Sequence, residues 1–465
     1  MSDQKPFVAY AVAIVMLMEL VDGSALNTSL PQMATSFDVN PISLKVAITV
    51  YLLTLGLFVP ASTWVAERFG TKKILLISAI GFILSSVLCG LSTNLLMLVA
   101  SRALQGFFGA FTMPVARMIL VRVYKKNLLY AMTIVGSILT IGPMLGPLIG
   151  GGITTYLNWR YIFFINVPIG LFALALAWRF VPKIDGKKQD FGFDYLGFIL
   201  LGISIAFFMF VLDTVIDHSI SNSLKGVILI FAIVLLLLYL IYARYKQQGA
   251  IVNLNIFRHQ SFNALVLASV MVRLSTMGLM FMLPLYLQIH HGFSAFEAGL
   301  AFMAFMVPAW LVKRVVKPIL KALGLYRYML IIIGLICLSY LGLAWLFSHF
   351  DFVLYLGLLA VIGASFGCFT MVTNSSIYST VNDSEIGVSS VIMSAVIQLS
   401  SAFAVAWVAT LLATFSNVFE LSAHSTITLH AFSYVMIFCA LGMFMTAIYW
   451  FFCQQTHRLS AIQLT

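Results

Sequence analysis

Residues 7–30 read FVAYAVAIVMLMELVDGSALNTSL, an apolar run that is interrupted by two carboxylic acids, Glu19 and Asp22. About 20 mostly apolar residues are enough for a helix to cross a bilayer. Acids three residues apart lie on one helix face, and acids inside a span mark functional sites by default. No small-residue cleavage site follows a short apolar region, so the stretch predicts an uncleaved first span rather than a signal peptide.

The rest of the chain has the same character. Of its 465 residues, 62% are hydrophobic and 9% are charged, and the mean hydropathy is +1.05. Soluble domains are about 45–50% apolar and about 25% charged, so the composition excludes a soluble protein and equally excludes disorder. It predicts an all-α integral membrane protein with fourteen spans. The predicted spans are 7–30, 44–64, 74–92, 95–120, 129–152, 162–181, 195–213, 224–243, 263–287, 297–312, 328–347, 352–372, 387–413 and 429–452.

The basic residues predict the orientation. With both termini in the cytoplasm, 20 of the 26 lysines and arginines fall in cytoplasmic loops and three fall outside, at Lys45, Arg160 and Lys225. Such a bias is typical of the cytoplasmic side of membrane proteins. It explains the net charge of +11 without nucleic acid. We therefore expect a multi-pass protein of the inner (plasma) membrane.

A weak internal repeat predicts the domains. The loops before spans 3 and 11 share a pattern around Gly70 and Gly324, at a constant offset along the chain. Parallel repeats of this kind occur in transporters. The sequence thus predicts a six-helix bundle at 1–181, a linker with two extra spans at 182–262, and a second six-helix bundle at 263–465.

The ionisable residues inside spans are candidates for chemistry. Asp22 and Arg102 each lie about eight residues below the outer end of a span, or about 12 Å at 1.5 Å per residue, so an ion pair is possible. Burial disfavours an ionised carboxylate, whereas a nearby guanidinium favours it. A conformational change that alters either effect moves a proton, so Asp22, with Glu19, is a candidate proton carrier. The alternative is a fixed structural pair.

Two further arginines are candidate substrate contacts. Arg273 lies near the midplane of span 9, where it binds either backbone carbonyls or an anionic substrate. Arg117 lies close enough to the inner face to extend into the headgroup region. Phe108 and Met113 belong to a cluster of soft side chains that line an apolar cavity or face lipid.

Span 5 contains a dense run of glycine and proline. Proline kinks a helix, and glycines at four-residue spacing let a second helix approach closely. We expect a bent contact between two bundles that move against each other, with simple close packing as the alternative. The residues are Gly142, Pro143, Gly146, Pro147, Gly150 and Gly151.

Other chemistry has no support in the sequence. There is no phosphate-binding Walker motif, no nucleophile elbow and no metal-ligand spacing. The five cysteines lie in or beside apolar runs as small hydrophobes. We expect a protein that is not an enzyme and holds no metal or cofactor.

Several stretches together resemble the major facilitator superfamily, and within it the fourteen-span drug:proton antiporters. The loop residues Glu67, Arg68, Gly70 and Lys73 resemble its loop 2–3 signature, although an aspartate is usual at Glu67 and a small residue at Thr63. The remaining matches are the run Arg102 to Gly106 in span 4, the glycine–proline run of span 5, Asp22 to Asn27 with Leu30 and Pro31, Trp159 to Pro168, Phe193 to Gly197, and Pro284 to Gln288 with Gly292, Ser294 and Ala298 to Leu300.

The resemblance implies a major facilitator fold and an exporter with alternating access. A small organic molecule would leave against inward proton flow, with Asp22 and Arg102 in proton coupling and Gln105 lining the cavity. The proton gradient would replace any cofactor, and the partners would be the substrate, protons and lipid around a monomer. Alternatives are a dedicated transporter of a siderophore or organic anion, a symporter, and a non-transporting receptor or scaffold.

Overall fold

The computed structural model describes residues 5–124, 128–184, 192–215, 220–246, 250–252, 254–347, 349, 351–379, 386–419 and 429–455. In these residues the secondary structure is helical, and no strand is present. The helices are α1 Lys5–Ala25, α2 Leu30–Phe37, α3 Lys45–Phe69, α4 Thr71–Gly90, α5 Leu95–Val123, α6 Leu128–Tyr156, α7 Tyr161–Phe164, α8 Asn166–Phe180, α9 Tyr195–Thr214, α10 Asn222–Lys246, α11 Gln260–His291, α12 Ala295–Leu311, α13 Val316–Leu346, α14 Phe352–Ser379, α15 Ile386–Phe419 and α16 Leu429–Gln455.

These helices supply the predicted membrane spans. Among the described residues, 13 helical segments are long and apolar enough to cross a bilayer, and Ala295–Leu311 is a shorter apolar helix. That shorter helix is the predicted tenth span, and a 3-10 turn at Val312–Arg314 follows it. The prediction of an all-α fold is confirmed, and the predicted spans all coincide with helices.

The first span is longer than predicted. After α1, a 3-10 turn at Leu26–Ser29 leads directly into α2, so helix continues to Phe37. Proline is tolerated in the first helical turn, where its missing N–H has no partner in any case. Pro31 lies there in α2, so it begins a helix instead of ending one.

The chain forms two compact units. Unit 1 contains Met1–Phe193 and Leu287–Leu300, and unit 2 contains Asp194–Tyr286 and Ala301–Thr465. Unit 1 thus includes the end of α11 and the start of α12, and the start of α12 packs on α6. The three domains expected from the sequence are defined by the repeat around Gly70 and Gly324, whereas the two units are defined by packing. The three domains stay a prediction.

The two loops that share a sequence pattern also share a backbone conformation. Gly70, between α3 and α4, has φ 90° and ψ 133°. Gly324, within α13, has φ 72° and ψ 156° and interrupts the helical dihedrals there. Only glycine adopts positive φ at little cost, so both positions use the residue for the same break between helices.

Asp194 joins the two extra central spans to the segment that follows them. It caps the start of α9 by accepting from Gly197 N at 3.1 Å. It also accepts from Tyr242 Oη at 2.6 Å, Lys246 Nζ at 2.8 Å and Ile251 N at 2.9 Å. Burial raises the pKa of Asp194, but these hydrogen bonds outweigh it and leave the pKa below its usual 3.8.

Candidate functional site

Asp22 and Arg102 form a buried ion pair in unit 1. Arg102 Nη1 lies 2.6 Å from Asp22 Oδ2, and each residue is 1% exposed. Asp22 lies on α1 and Arg102 on α5, at the matching depth that their sequence positions predict. A buried charge is stable only when it is paired and hydrogen-bonded. The two residues therefore satisfy each other.

Two amide side chains complete the contacts of Asp22. Gln105 Nε2 donates to Asp22 Oδ1 at 3.0 Å, and Asn166 Nδ2 donates to the same oxygen at 2.6 Å. Gln105 Nε2 also donates to Ser86 Oγ at 2.8 Å. Helices α1, α4, α5 and α8 thus meet in one polar network inside an apolar bundle.

Arg102 is held from three other directions. Its Nη1 donates to Gln105 Oε1 at 2.6 Å, and its Nε donates to Ala47 O on α3 at 3.3 Å. The guanidinium lies over the ring of Tyr51, 3.9 Å from its centroid. A cation over an aromatic face is stabilised by the ring's negative quadrupole, so α3 also contributes to the site.

Glu19 lies one turn before Asp22 in very different surroundings. It is 3% exposed, and among the described residues its Oε2 has no hydrogen-bond partner. A Cβ at Gly109 would lie 3.7 Å from the Glu19 carboxyl carbon, 3.6 Å from the Phe82 ring and 3.7 Å from Leu55 Cδ1. The carboxyl group therefore lies in a largely apolar pocket between α1, α3, α4 and α5.

The glycines of α6 pack against α1 beside this network. A Cβ at Gly142 would lie 2.9 Å from Leu20 Cβ, one at Gly146 would overlap Ser24 Oγ, and one at Gly150 would overlap the Ala25 carbonyl. For these three glycines, the contact that we expected between bundles is a contact inside unit 1. These three glycines form a glycine stripe on α6, and the stripe holds the part of α1 that carries Asp22 close to α6.

The fourth glycine of the run, Gly151, has a different neighbour. A Cβ there would overlap the carbonyl of Ala295, at the start of α12. A Cβ at Gly299 would likewise overlap the carbonyl of Pro147. The two glycines let α6 and the first turns of α12 approach closely within unit 1.

The loop signature makes contacts around the end of α3. Glu67 lies 3.7 Å from Arg122 of α5, with both side chains partly exposed. Arg68 lies over the ring of Trp64, 5.4 Å from its centroid. Gly70 supplies the break, and Lys73 lies in the first turn of α4.

The candidate substrate contacts lie on α5 in unit 1 and on α11 in unit 2. Phe108 and Met113 are half-buried on α5, where Phe108 packs on Phe107 with ring centroids 5.1 Å apart. Arg117 is exposed. Arg273 belongs to unit 2, where its guanidinium carbon lies 6.0 Å from the ring centroid of Phe366. The structure brings Asp22, Arg102 and Gln105 together within unit 1.

Sequence reasoning missed three members of the network. Asn166, Ser86 and Tyr51 were not predicted as site residues. Asn166 lies in the stretch Trp159 to Pro168 that carried part of the resemblance, so a polar side chain in an apolar span was a usable signal. Ser86 and Tyr51 offered none, because serines and tyrosines are common in spans.

Among the described residues, no group of three His, Cys, Asp or Glu side chains is placed to hold a metal ion. The network itself consists of an ion pair and the amides that donate hydrogen bonds to it.

A family model for the major facilitator superfamily matches residues 12–405, which include the whole network. The chain belongs to the major facilitator superfamily. It is 30% identical over 444 residues to the protein named "Probable transport protein HsrA" of Haemophilus influenzae, covering 95% of this chain and 94% of that one. It is 32% identical over 445 residues to the protein named "Putative multidrug resistance protein MdtD" of Salmonella typhi, covering 94% and 93%.

Solved structures of the superfamily share the fold. The POT family transporter PepTSo matches with a TM-score of 0.72 and 12% identity, covering 98% of each chain. A bacterial homologue of the human lysosomal transporter Spinster matches with a TM-score of 0.68 and 12% identity, covering 99% of this chain and 98% of that one. This superfamily member is thus a multi-span membrane transporter and not an enzyme.

Proposed function

We propose that this protein exports small organic molecules in exchange for protons. The observation that supports the proposal is the buried pair of Asp22 and Arg102, which is joined by Gln105 and Asn166 across three helices. Ionisable side chains inside a membrane are costly and rare, and they mark ion and proton pathways. A transporter that needed no ion coupling could place apolar side chains at these positions.

The network connects proton binding to helix position. Arg102 contacts α1 through Asp22 and α3 through Ala47 and Tyr51. An acid on α1 beside this pair that gains or loses a proton changes the electrostatic forces that hold α1 to α5, because charges interact strongly in a low-dielectric interior. A bundle that loads or releases a proton therefore favours a different packing of α1, which is what alternating access requires.

The glycine stripe fits the same mechanism. Gly142, Gly146 and Gly150 bring α6 into close contact with the half of α1 that follows Glu19. A shift of α1 is therefore transmitted to α6 through direct backbone contact. Asp22, Glu19 and Arg102 would couple proton binding to the position of α1. Gln105 and the α6 glycines would pass a movement of α1 on to α5 and α6.

The setting of the proposal follows from the charge pattern. We place the protein in the inner membrane with both termini in the cytoplasm, as a monomer that uses the proton gradient and needs no bound cofactor. The relative named for multidrug resistance supports a broad range of organic substrates for this chain.

Reconstitution tests the proposal. Purified protein in liposomes with an imposed pH difference is expected to drive the uphill movement of at least one compound from a panel of organic cations, neutral drugs and carboxylic acids. Dissipating the pH difference with a protonophore should abolish the movement. Flux that ignores the gradient would contradict proton coupling, and the absence of any flux would favour the receptor or scaffold.

A second candidate is a dedicated transporter of an organic anion such as a siderophore. Arg273 supports it, because in the described part of the chain no carboxylate lies within 4.0 Å of its guanidinium. A cation in a span needs a counter-charge, and an anionic substrate would supply it. Arg273→Gln should then lower flux of a carboxylate substrate but not of its neutral amide, whereas Arg273→Lys should retain both.

A further inference from the structure

We infer that Glu19 is the carboxyl group that gains and loses the proton, and that Asp22 is the anchor that holds Arg102. The inference rests on the proposed proton coupling, and it divides that role between two acids one turn apart on α1. The two carboxyl groups differ in what surrounds them.

Asp22 faces only hydrogen-bond donors. Arg102 Nη1 donates to Oδ2, and the side-chain amides of Gln105 and Asn166 donate to Oδ1. The orientation of the Gln105 amide is fixed, because its oxygen already accepts from Arg102 at 2.6 Å. An ionised carboxylate is an acceptor only, and its charge matches these donors. A proton on Asp22 would place its O–H donor against the donors of Arg102, Gln105 and Asn166, and it would leave Arg102 buried without its counter-charge.

Glu19 has the opposite surroundings. Its carboxyl carbon lies near Gly109, Leu55 and Phe82, and its Oε2 has no hydrogen-bond partner among the described residues. An ionised carboxylate in such a place would lose its hydration, and the attraction of the exposed Arg117 is too small to compensate for that loss. Glu19 is therefore protonated in this conformation.

The charged and titratable groups around Glu19 agree with this assignment. On its own helix, Asp22 repels a second negative charge. On α5, Arg102 is committed to Asp22, while the exposed Arg117 attracts a negative charge on Glu19, an effect smaller than burial and the repulsion from Asp22. On α3, Tyr51 is covered by the Arg102 guanidinium. None of them is a hydrogen-bonded partner of Glu19.

The step itself is a simple proton transfer. When the pocket around Glu19 opens to water, its O–H bond breaks, the proton passes to water and the hydrated carboxylate remains. When the pocket closes again, the carboxylate must first take a proton from water on the side to which it is open. Asp22 and Arg102 remain paired throughout and hold α1 to α5.

Thermal unfolding in detergent at neutral pH tests the assignment without any substrate. Glu19→Gln replaces a neutral acid with a neutral amide of the same shape, so its Tm is expected to equal that of the wild type. Asp22→Asn removes the counter-charge of Arg102, so its Tm is expected to fall clearly. Asp351→Asn, at an exposed helix cap before α14, serves as the control. A large loss in Glu19→Gln beside an unchanged Asp22→Asn would overturn the inference.

Infrared spectroscopy gives a second readout that does not depend on the Asp22 variant folding. The wild type is expected to show the carbonyl stretching band of a buried protonated carboxylic acid, and Glu19→Gln is expected to lack it. A band that persists in Glu19→Gln would assign the proton to another acid and overturn the inference.

Transport separates this inference from the proposed function. If the wild type shows flux driven by the pH difference, Glu19→Gln should exchange substrate across the membrane but lose uphill flux and its pH dependence, and Glu19→Asp should partly restore both. Retention of uphill flux in Glu19→Gln would overturn the inference alone. If the wild type shows no such flux, the proposed function fails, and the unfolding and infrared results still decide which acid holds the proton.

Discussion

Asn166 shows how much a single buried amide contributes to the site. Its Nδ2 donates to Asp22 Oδ1 at 2.6 Å and lies 3.3 Å from Ser86 Oγ. Asn166→Leu should destabilise the protein by about 1–3 kcal/mol, the usual cost of removing a hydrogen bond to a buried charged group. A lower Tm in detergent is the measurement.

The matched control is Asn222→Leu, at the exposed start of α10. The same change of side chain there should leave the Tm close to that of the wild type. Equal Tm values for the two variants would show that the Asn166 hydrogen bond is dispensable.

At this scale the sequence predicted the ion pair but not its partners. Asp22 and Arg102 are conspicuous because charges are rare in apolar runs, and counting residues from the span ends places them at one depth. Asn166 and Tyr51 depend on which face α8 and α3 turn towards the pair. That rotation is set by packing between helices, and the residue pattern along one helix does not contain it.

The glycine stripe of α6 gives a prediction at the scale of elements. A Cβ at Gly146 would overlap Ser24 Oγ and lie 2.9 Å from the Val21 carbonyl oxygen. These two residues flank Asp22 and Gly23 on α1. Gly146→Val should therefore push α1 away from α6, lower the yield of folded protein and abolish transport. Both are measured by chromatography of the purified protein and by flux in liposomes.

Gly136 of the same helix is the control, because a Cβ there would meet nothing within 4 Å. Gly136→Ala should leave flux intact and stabilise the protein by up to about 1 kcal/mol, since alanine restricts the unfolded chain more than glycine does. If Gly146→Val also behaves like the wild type, close packing of α6 on α1 is not required.

Asp194 gives a second prediction at this scale, and it depends on pH. Its folded pKa is lowered by hydrogen bonds from Lys246, Tyr242, Ile251 and Gly197 despite burial. A group with a lowered folded pKa contributes stability above its unfolded pKa and loses it as the pH falls through the folded value. Asp194→Asn should thus be less stable than the wild type at pH 7, by about 1–3 kcal/mol.

The difference should shrink as the pH falls below about 4, where the wild-type carboxylate takes up a proton and becomes as neutral as the asparagine. Unfolding of both proteins followed across this range provides the measurement. A difference that stays constant down to strongly acidic pH would show that the charge of Asp194 has no part in joining α9, α10 and Ile251.

Element boundaries were predictable where hydropathy changes sharply and not where polar residues continue a helix. The span 195–213 agrees closely with α9, which begins directly after its cap at Asp194. The first span continues through Asn27 and Pro31 to Phe37, because a 3-10 turn connects two helices there. Hydropathy cannot show that connection, since it records composition and not backbone dihedrals.

For the whole molecule, packing and sequence repeat divide the chain differently. Of the two extra central spans, α9 packs on α15 in unit 2, where Thr410 Oγ1 donates to Leu212 O at 3.1 Å and the Phe208 and Phe403 rings lie 5.4 Å apart. The other span, α10, packs on α9. The sequence repeat treats the same spans as an insertion. The sequence repeat reflects how the chain arose, whereas the side-chain contacts reflect which helices stabilise one another in the folded protein.

The orientation is the remaining prediction for the whole molecule. The excess of basic residues in alternate loops predicts that the loop after α8 is cytoplasmic and the loop between α4 and α5 is outside. Lys183 and Thr93 are exposed positions in these two loops. The native cysteines Cys89, Cys337, Cys368 and Cys439 are free and buried or half-buried in spans, so background labelling should be low once Cys453 is replaced by serine.

With that background, Thr93→Cys should react with a membrane-impermeant maleimide in intact cells, because its thiol meets the external medium. Lys183→Cys should react only after the membrane is permeabilised. The reverse pattern would place the basic loops outside and invert the predicted topology. Since Asp22 lies nearer the end of α1 that leads to this outer face, the same inversion would place the Asp22–Arg102 pair nearer the cytoplasm.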